Sequence, residues 1–194
     1  MDKYNNMLDL QKALLDNGVI DIAGEINEDT ILYVREALLR LNTMNNPPIN
    51  VTFTSSGGNC DAGFAIFDLL GNYPGHITGT VTGFANSMAS IILQACDVRR
   101  VSVHSRICLH YSIQPRLTRK QRKVPSERNK VRKNSDKVDG QFLDAYMTRA
   151  IKTRRAINKY LEDEKELSAQ EAIAAGLADE IITPKIGKKP RGGK

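Results

Sequence analysis

Ser87, within residues 83–90, is the side chain whose setting in this 194-residue sequence most favours nucleophilic chemistry. The preceding residues 77–81 are apolar and rich in strand-forming types, and residues 88–96 are apolar and suit a helix. A serine at a sharp strand-to-helix turn lies outside the sheet, and the first N–H groups of the next helix lack helical partners. The pattern predicts a nucleophile at Ser87, with a site for a negatively charged oxygen beside it.

A serine hydroxyl is a weak nucleophile until a base takes its proton, and three histidines are candidates for that base. His76 follows a Pro-Gly turn, and His104 falls in a link between two β-like segments. His110 lies within the apolar segment 107–111, which is typical of a strand. A polar side chain there is a candidate base, although a strand histidine hydrogen-bonded to the backbone would give the same pattern.

Strands and helices alternate up to His110. We predict helices at 7–15, 28–41, about 61–70 and 88–96, and strands at 19–23, 49–53, 77–82, 100–103 and 107–111, with Asn27 as an N-cap. Alternation predicts crossover units and a mainly parallel sheet, in which ligands bind beyond the carboxyl ends of the strands. Gly57-Gly58, Ser87 and His110 all fall at such ends.

The alternation stops after His110. A long, mostly helical segment is predicted at about 126–161, with a break near Gly140. Ser168 opens a capping box for a last helix that Gly176 closes, and a final strand is predicted at 180–182.

We therefore predict a single domain over residues 1–183 with a handle segment at about 112–160. A basic tail at 184–194 is expected to be disordered.

The net charge of +6 is concentrated in two segments. Residues 116–133 hold nine Lys and Arg against one Glu, and the tail holds five more basic residues and no acid. The remainder carries 14 basic and 21 acidic residues, so the rest of the chain is acidic. The basic segment 116–133 has no interleaved aromatic residues to stack on bases, so it favours an acidic protein partner or plain solvation over nucleic acid.

Three cysteines without CxxC spacing indicate free thiols in a reducing compartment, and no metal site or cofactor is predicted. The first residues are polar and do not resemble a signal peptide. The uncharged stretch 69–96 is too rich in Gly, Thr and Asn for a membrane span. We expect a cytoplasmic protein.

Four blocks carry a resemblance to a known family. In order along the chain they are SSGGNCDAG at 55–63, GFANSMAS at 83–90, RICLH at 106–110 and LSAQEAIAAGLAD at 167–179. The chain resembles the ClpP family of ATP-dependent serine peptidases over roughly residues 8–183, and residues 112–160 match poorly. The resemblance implies an α/β fold, namely a ClpP/crotonase-like spiral of βαβ units with a helical handle insertion.

The resemblance implies Ser87 as the nucleophile and His110 as the general base. It also implies the backbone N–H groups of Gly58 and Met88 as the oxyanion hole. The residue types suit these roles, because Gly58 permits close backbone approach and Met88 opens a helix. Gly57-Gly58 would equally suit an ordinary strand-to-helix turn.

The third catalytic position departs from the family. Glu164 stands where the family has an aspartate, and Asp163 lies beside it. Glutamate can orient a histidine, but its extra methylene displaces the carboxylate, and both residues equally suit a solvated acidic helix end.

Other departures concern partners. Ser56 replaces a proline of the family motif, Asn50 and Thr52 replace aromatic residues that help to dock an unfoldase, and Pro115 interrupts a Gly-rich strand.

The resemblance implies a serine endopeptidase that cleaves peptides or unfolded polypeptides inside a homo-oligomeric ring, heptameric and single or stacked. The implied partners are an AAA+ unfoldase or host ClpP subunits. The departures leave open a catalytically impaired subunit that co-assembles with active chains. An acyl-CoA enzyme of the crotonase type, which shares the fold, and a nucleic-acid-binding module are further alternatives.

Overall fold

The computed structural model describes residues 2–112, 118 and 122–184, and of residues 2–8 only the backbone. The predicted alternation of strands and helices is confirmed. In chain order the elements are α1 (Asp2–Asp16), β1 (Val19–Ile26), α2 (Glu28–Thr43), β2 (Ile49–Gly58), α3 (Cys60–Gly71), β3 (Ile77–Asn86), α4 (Met88–Ile92), β4 (Val98–Ser102), β5 (Arg106–Cys108), α5 (Pro125–Met147), α6 (Arg154–Glu162), β6 (Glu166–Ser168), α7 (Ala169–Ala175) and β7 (Glu180–Ile182).

The strands form one seven-stranded sheet in which β1, β2, β3, β4 and β7 are parallel neighbours in that order. The last strand of this path, β7, follows the handle segment in the sequence and pairs with β4. The α/β fold with a mainly parallel sheet is thus confirmed. Only the pairing of β5 with the short strand β6 is antiparallel among the described strands.

Strand β3 has two neighbours on the same side. Its first part, at Thr78 to Val81, pairs with β4, and its last part, at Phe84 to Asn86, pairs with β5. The sheet therefore divides just before Ser87. The turn between β3 and α4 that holds Ser87, here called the elbow, lies where the partner of β3 changes from β4 to β5.

Local signals set the helix ends as predicted. The side chain of Asn27 accepts a hydrogen bond from the backbone N–H of Thr30 at 3.1 Å, and the Thr30 hydroxyl accepts from the backbone N–H of Asn27 at 3.2 Å, which completes a capping box. Ser168 and Glu171 form the predicted capping box at the start of α7, and Gly176 ends that helix in the left-handed conformation.

Several predicted boundaries were wrong. Strands β2 and β3 continue to Gly58 and Asn86, several residues past their apolar segments. Pairing with the neighbouring parallel strands extends both strands into these polar residues. The predicted strand 107–111 ends at Cys108, so His110 follows a strand and does not lie within one.

The predicted helix break near Gly140 was also wrong. Helix α5 runs through Gly140, and the chain turns instead at residues 148–153. Ala150 N–H still bonds the Tyr146 carbonyl, and Thr153 caps α6. The buried Phe142 ring packs edge-on against Phe64 of α3, and the buried Tyr146 hydroxyl bonds Ser90 of α4, so tertiary packing holds the helix across its glycine.

A buried arginine joins the end of the chain to the sheet. Arg99 on β4 donates to Asp179 from Nη2 at 2.7 Å and from Nε at 3.0 Å. It also donates to the Gln94 side chain at 2.5 Å and to the Gly176 carbonyl at 2.9 Å. Burial alone would raise the pKa of Asp179, but hydrogen bonds from Arg99 and its charge outweigh burial and lower that pKa.

Candidate active site

The turn between β3 and α4 holds Ser87 in a conformation that L residues seldom adopt, with φ 52° and ψ −125°. Four non-glycine residues of the described chain have positive φ; two are asparagines, which tolerate it, and the other two are Ser87 and Glu164. Such strain concentrates at functional sites. Ser87 is 8% exposed, and its N–H is bonded to the Cys108 carbonyl at 2.9 Å.

The hydroxyl of Ser87 is not used as a helix cap. Ser87 occupies the N-cap position of α4, where serine oxygens ordinarily accept from the next turn, yet it makes no such bond. Backbone N–H groups of Ser90 and Ile91 instead bond the Ser87 carbonyl, at 3.0 and 3.3 Å. The hydroxyl is thereby left for other chemistry.

Two glycines at the end of β2 make room for the elbow. Gly57 has φ 90°, and a Cβ there would lie 2.7 Å from the Ser87 Cβ and 3.0 Å from the Met88 nitrogen. Gly58 has φ 159°, and a Cβ there would collide with the Ile26 backbone of β1. Side chains are therefore excluded at both positions, and the backbone of β2 can lie against the start of α4.

Ser87 and His110 line one cleft of about 390 Å³, a volume typical of ligand sites. Its other lining residues come from the end of β1, the β2–α3 turn, the segment after β5 and the handle helix: Glu25, Ser56, Gly57, Gly58, Asn59, Cys60, Ser112 and Phe142. A larger groove of about 500 Å³ between α2 and α3 contains no serine, cysteine or histidine, so the smaller cleft is the chemical candidate.

The His110 ring is held by the backbone. Its Nδ1 lies 2.6 Å from the carbonyl oxygen of Tyr111. Because a carbonyl can only accept, Nδ1 carries the proton in this contact, and a neutral ring then offers Nε2 as the base. The preceding residue, Leu109, donates its N–H to the Lys165 carbonyl at 2.9 Å, which extends the β5–β6 pairing towards the cleft.

That pairing relates His110 to Glu164. Cys108 faces Glu166 across the antiparallel pair, so the same register carried two residues further sets His110 opposite Glu164. The Glu164 side chain is exposed, and within the described part of the chain no hydrogen bond joins it to His110. The charges of Glu166 and Glu164 add to burial in raising the pKa of the Cys108 thiol.

Asp163, the neighbouring candidate, is engaged elsewhere. Its carboxylate pairs with Lys159 at 2.9 Å, one turn earlier in α6. The assignments of Ser87, His110, Glu164, Gly58 and Met88 to catalytic roles remain predictions.

Sequence reasoning did not select Tyr146 of α5, whose hydroxyl supports the turn that holds Ser87. Its hydroxyl lies 2.6 Å from the Ser90 hydroxyl, and Ser90 Oγ in turn donates to the Ser87 carbonyl at 2.6 Å. Tyr146 is fully buried, which raises its pKa. The Met88 side chain is equally buried and packs against Gly63 of α3, so only its N–H can serve the cleft.

The sequence also did not point to Asp139 of α5. Its Oδ1 accepts from the Ser112 N–H at 2.9 Å and from the Ser112 hydroxyl at 2.6 Å. This fixes the segment after His110 against the handle helix. Spacing along α5 could have shown that Asp139, Phe142 and Tyr146 share a face, but not what that face meets.

Two further findings bear on the class of protein. Among the described residues, no group of three or more His, Cys, Asp or Glu side chains could hold a metal ion. No helix in that part of the chain is both long and apolar enough to cross a membrane.

Comparison with known proteins identifies the family. The "ATP-dependent Clp protease proteolytic subunit 1" of Chlamydia trachomatis serovar D is 29% identical over 187 residues, covering 94% of each chain. The subunit 1 of Protochlamydia amoebophila is 31% identical over 176 residues, covering 89% of this chain and 84% of the relative. A subunit 3 from Synechococcus is 26% identical over 168 residues, covering 85% and 82%. The family model described as Clp protease matches residues 2–185. This chain therefore belongs to the Clp protease family.

Proposed function

We propose that this chain is a serine endopeptidase that hydrolyses peptides or unfolded polypeptides through an acyl-enzyme. One observation carries the proposal: Ser87, strained and not used as a helix cap, shares a cleft with His110 and with Gly57-Gly58. Membership of the Clp protease family supports it, and the relatives compared above are named proteolytic subunits of ATP-dependent proteases.

Acylation begins when the Ser87 Oγ attacks the carbonyl carbon of the scissile peptide bond and His110 Nε2 takes the hydroxyl proton. The N–H groups of Gly58 and Met88 stabilise the negative oxygen of the tetrahedral intermediate. His110 then gives its proton to the leaving amine, the C–N bond breaks, and the acyl group remains on Ser87.

Deacylation repeats the cycle with water as the nucleophile. His110 takes a proton from water, the acyl ester is cleaved, and the proton returns to Ser87 Oγ. Glu164 is proposed as the carboxylate that steadies the imidazolium, because the β5–β6 register sets it opposite His110. The Tyr111 carbonyl serves as a second acceptor for Nδ1–H.

The test compares Ser87→Ala with Ser56→Ala in hydrolysis of a small fluorogenic peptide. Both serines line the cleft, but only Ser87 occupies the elbow. We expect Ser87→Ala to lose at least about 10³-fold in kcat/KM. Ser56→Ala should remain within about threefold of the unchanged protein, since surface changes of this size cost at most a few tenths of a kcal/mol.

Labelling by a fluorophosphonate provides the second readout, because the reagent reports an activated serine without turnover. The label should appear on Ser87 and be lost in Ser87→Ala. Hydrolysis that survives Ser87→Ala would exclude the mechanism. Failure both to label and to hydrolyse, in a protein that enters a ring of active chains, would instead indicate a catalytically impaired subunit.

We further propose that the active form is a homo-oligomeric ring, heptameric and single or stacked. Its proposed partners are an AAA+ unfoldase or host ClpP subunits. Large apolar side chains on α1 and α2 support assembly: Leu10, Leu32 and Leu39 are 55–60% exposed in the single chain. Sedimentation velocity should give a particle several times the 21.6 kDa chain mass. A monomer at micromolar concentration would contradict the ring.

In this proposal residues 1–183 form the peptidase domain, and the handle at about 112–160 packs against neighbouring subunits. Most of the tail at 184–194 and part of the basic segment 116–133 lie outside the described residues. Their roles remain predictions.

A further inference from the structure

The cleft around Ser87 carries negative charge. Glu25, at the end of β1, lines it directly, and among the described residues no ion pair forms with the Glu25 carboxylate. None of the ten described residues that line the cleft is a lysine or an arginine. Among these ten, only His110 can carry a positive charge.

A second carboxylate stands directly behind the lining. Asp139 binds both the N–H and the hydroxyl of Ser112, which lines the cleft. Both bonds reach the same oxygen, Oδ1, so Oδ2 is not needed to hold Ser112. The charge of Asp139 is also felt across the cleft, since it adds to burial and to Asp61 in raising the pKa of the Cys60 thiol.

The helical phase of α5 turns Asp139 towards the site. Phe142, three residues later, lines the cleft, and Tyr146, seven residues later, reaches the support of the Ser87 elbow. Residues at this spacing lie on one helix face. Asp139 therefore continues the wall that Phe142 and Tyr146 form.

Positive charges on the described handle helix are further away. Arg132, the nearest cation on the same face as Asp139, lies seven residues earlier, or about 10 Å along the axis. Lys130, Lys133 and Lys137 fall on the opposite side of α5. At physiological ionic strength an exposed charge is largely screened beyond about 8 Å. Among the described residues, Glu25 and Asp139 are therefore the carboxylates placed at the cleft or directly behind its lining.

We propose that this cleft selects peptides with a lysine or arginine side chain next to the bond that is cleaved. The cationic head would lie between Ser112 and Cys60, within reach of Asp139, with Glu25 attracting it at the rim. The inference rests on the proposed peptidase function and names its substrate class. A carboxylate in a partly closed cleft favours a cation and repels an acidic side chain, which gives discrimination in both directions.

Binding without turnover tests the inference independently of catalysis. Ser87→Ala protein is titrated with three fluorescent peptides that differ at one position, as Lys, Leu or Glu, and binding is followed by anisotropy. We expect the Lys peptide to bind about tenfold more tightly than the Leu peptide, and the Glu peptide to bind most weakly. Adding Asp139→Asn should reduce the Lys-to-Leu ratio at least about threefold, because asparagine keeps the Oδ1 acceptor for Ser112 and removes only the charge.

Asp68→Asn is the matched control, since it removes one exposed carboxylate on α3 that does not line this cleft. It should leave the ratio unchanged. Glu25→Gln should lower the ratio less than Asp139→Asn and more strongly at low salt. The same three sequences with a fluorogenic leaving group then give kcat/KM for the protein with Ser87 intact.

The outcomes separate the two proposals. Equal binding of the Lys and Leu peptides, tighter binding of the Glu peptide, or a ratio insensitive to Asp139→Asn would overturn the inference even if all peptides are hydrolysed. A clear Lys preference in binding with no hydrolysis would overturn the peptidase proposal and leave the charge selection intact.

Discussion

At the scale of single residues, backbone strain marks the site more sharply than residue type does. Serine and glutamate gain nothing locally from positive φ, yet Ser87 and Glu164 both adopt it. Ser87 is held by its bond to Cys108, and Glu164 ends the β5–β6 pairing beside the same strand. Cys108 and Leu109 thus anchor the backbone at Ser87 and at Lys165, the residue next to Glu164.

Gly57→Ala should damage the elbow. The new Cβ would meet the Asn86 carbonyl and the Ser87 Cβ at 2.7 Å, and φ 90° disfavours any L side chain. We expect unfolding free energy to fall by about 1–3 kcal/mol and peptidase activity to be lost. Gly71→Ala is the control, because nothing lies within 4 Å of its added methyl group, and it should retain activity. Full activity in Gly57→Ala would disprove the close approach of β2 to the elbow.

The role of Glu164 can be separated from that of its neighbour. Glu164→Gln should lower kcat by roughly 10- to 100-fold. This loss is smaller than in catalytic triads in which a carboxylate alone orients the histidine ring, because the Tyr111 carbonyl also binds Nδ1 of His110. Asp163→Asn should have little effect, since Asp163 forms an exposed pair with Lys159. The two kcat values decide the matter, and a larger effect from Asp163→Asn would reverse the assignment.

At the scale of elements, helix α5 acts as the rear wall of the site. It supplies Phe142 to the cleft, holds Ser112 through Asp139 and holds the elbow through Tyr146. Its amino-terminal part is exposed and basic, whereas its carboxyl-terminal part is buried against α3 and α4. One helix therefore combines an exposed handle with direct support of the candidate nucleophile.

Tyr146→Phe tests that support with minimal change of volume. Removing the hydroxyl leaves Ser90 its bond to the Ser87 carbonyl but deletes the link to α5. We expect a loss of about 1 kcal/mol in unfolding free energy, with a lower kcat for peptide hydrolysis. Tyr160→Phe on α6 removes a hydroxyl from a half-buried tyrosine outside the cleft and should change neither quantity appreciably. Identical behaviour of the two variants would refute the supporting role of Tyr146.

At the scale of the whole molecule, the Arg99 network joins the last described strand to the centre of the sheet. Arg99 is 2% exposed, and its bonds to Asp179, Gln94 and Gly176 link β4 to the end of α7 and the start of β7. A charge so buried depends on its partners, and removal of one partner of such a pair typically costs about 3–5 kcal/mol. The fold is closed by this ion pair as well as by apolar packing.

The pH dependence of stability should report this closure. The native pKa of Asp179 is lowered from its ordinary value of 3.8, so its contribution is present above that value and is lost as pH falls through the lowered native pKa. Because the chain has no tryptophan, urea unfolding is followed by circular dichroism between about pH 5 and pH 3.

Asp179→Asn should be less stable at neutral pH and should show a shallower decline with acid than the unchanged protein. Asp144→Asn is the control, because its pair with Arg154 is exposed and contributes little. Parallel acid declines for Asp179→Asn and the unchanged protein would rule out the linkage.

The features that depend on local order could be predicted from the amino-acid sequence. The alternation of strand and helix segments predicted the parallel sheet, and Asn27 and Ser168 predicted where two helices begin. The four motif blocks in order indicated the family. These signals are readable because capping and periodicity involve residues within one turn or one strand of each other.

The remaining features depend on long-range contacts that the sequence does not show. The end of β5 before His110, the turn at 148–153, and the approach of Asp139 and Tyr146 to the site depend on partners more than 20 residues distant. No local pattern encodes which face of α5 meets the elbow, because helical spacing shows that residues share a face but not what that face contacts. Packing against α3 and α4 made that choice.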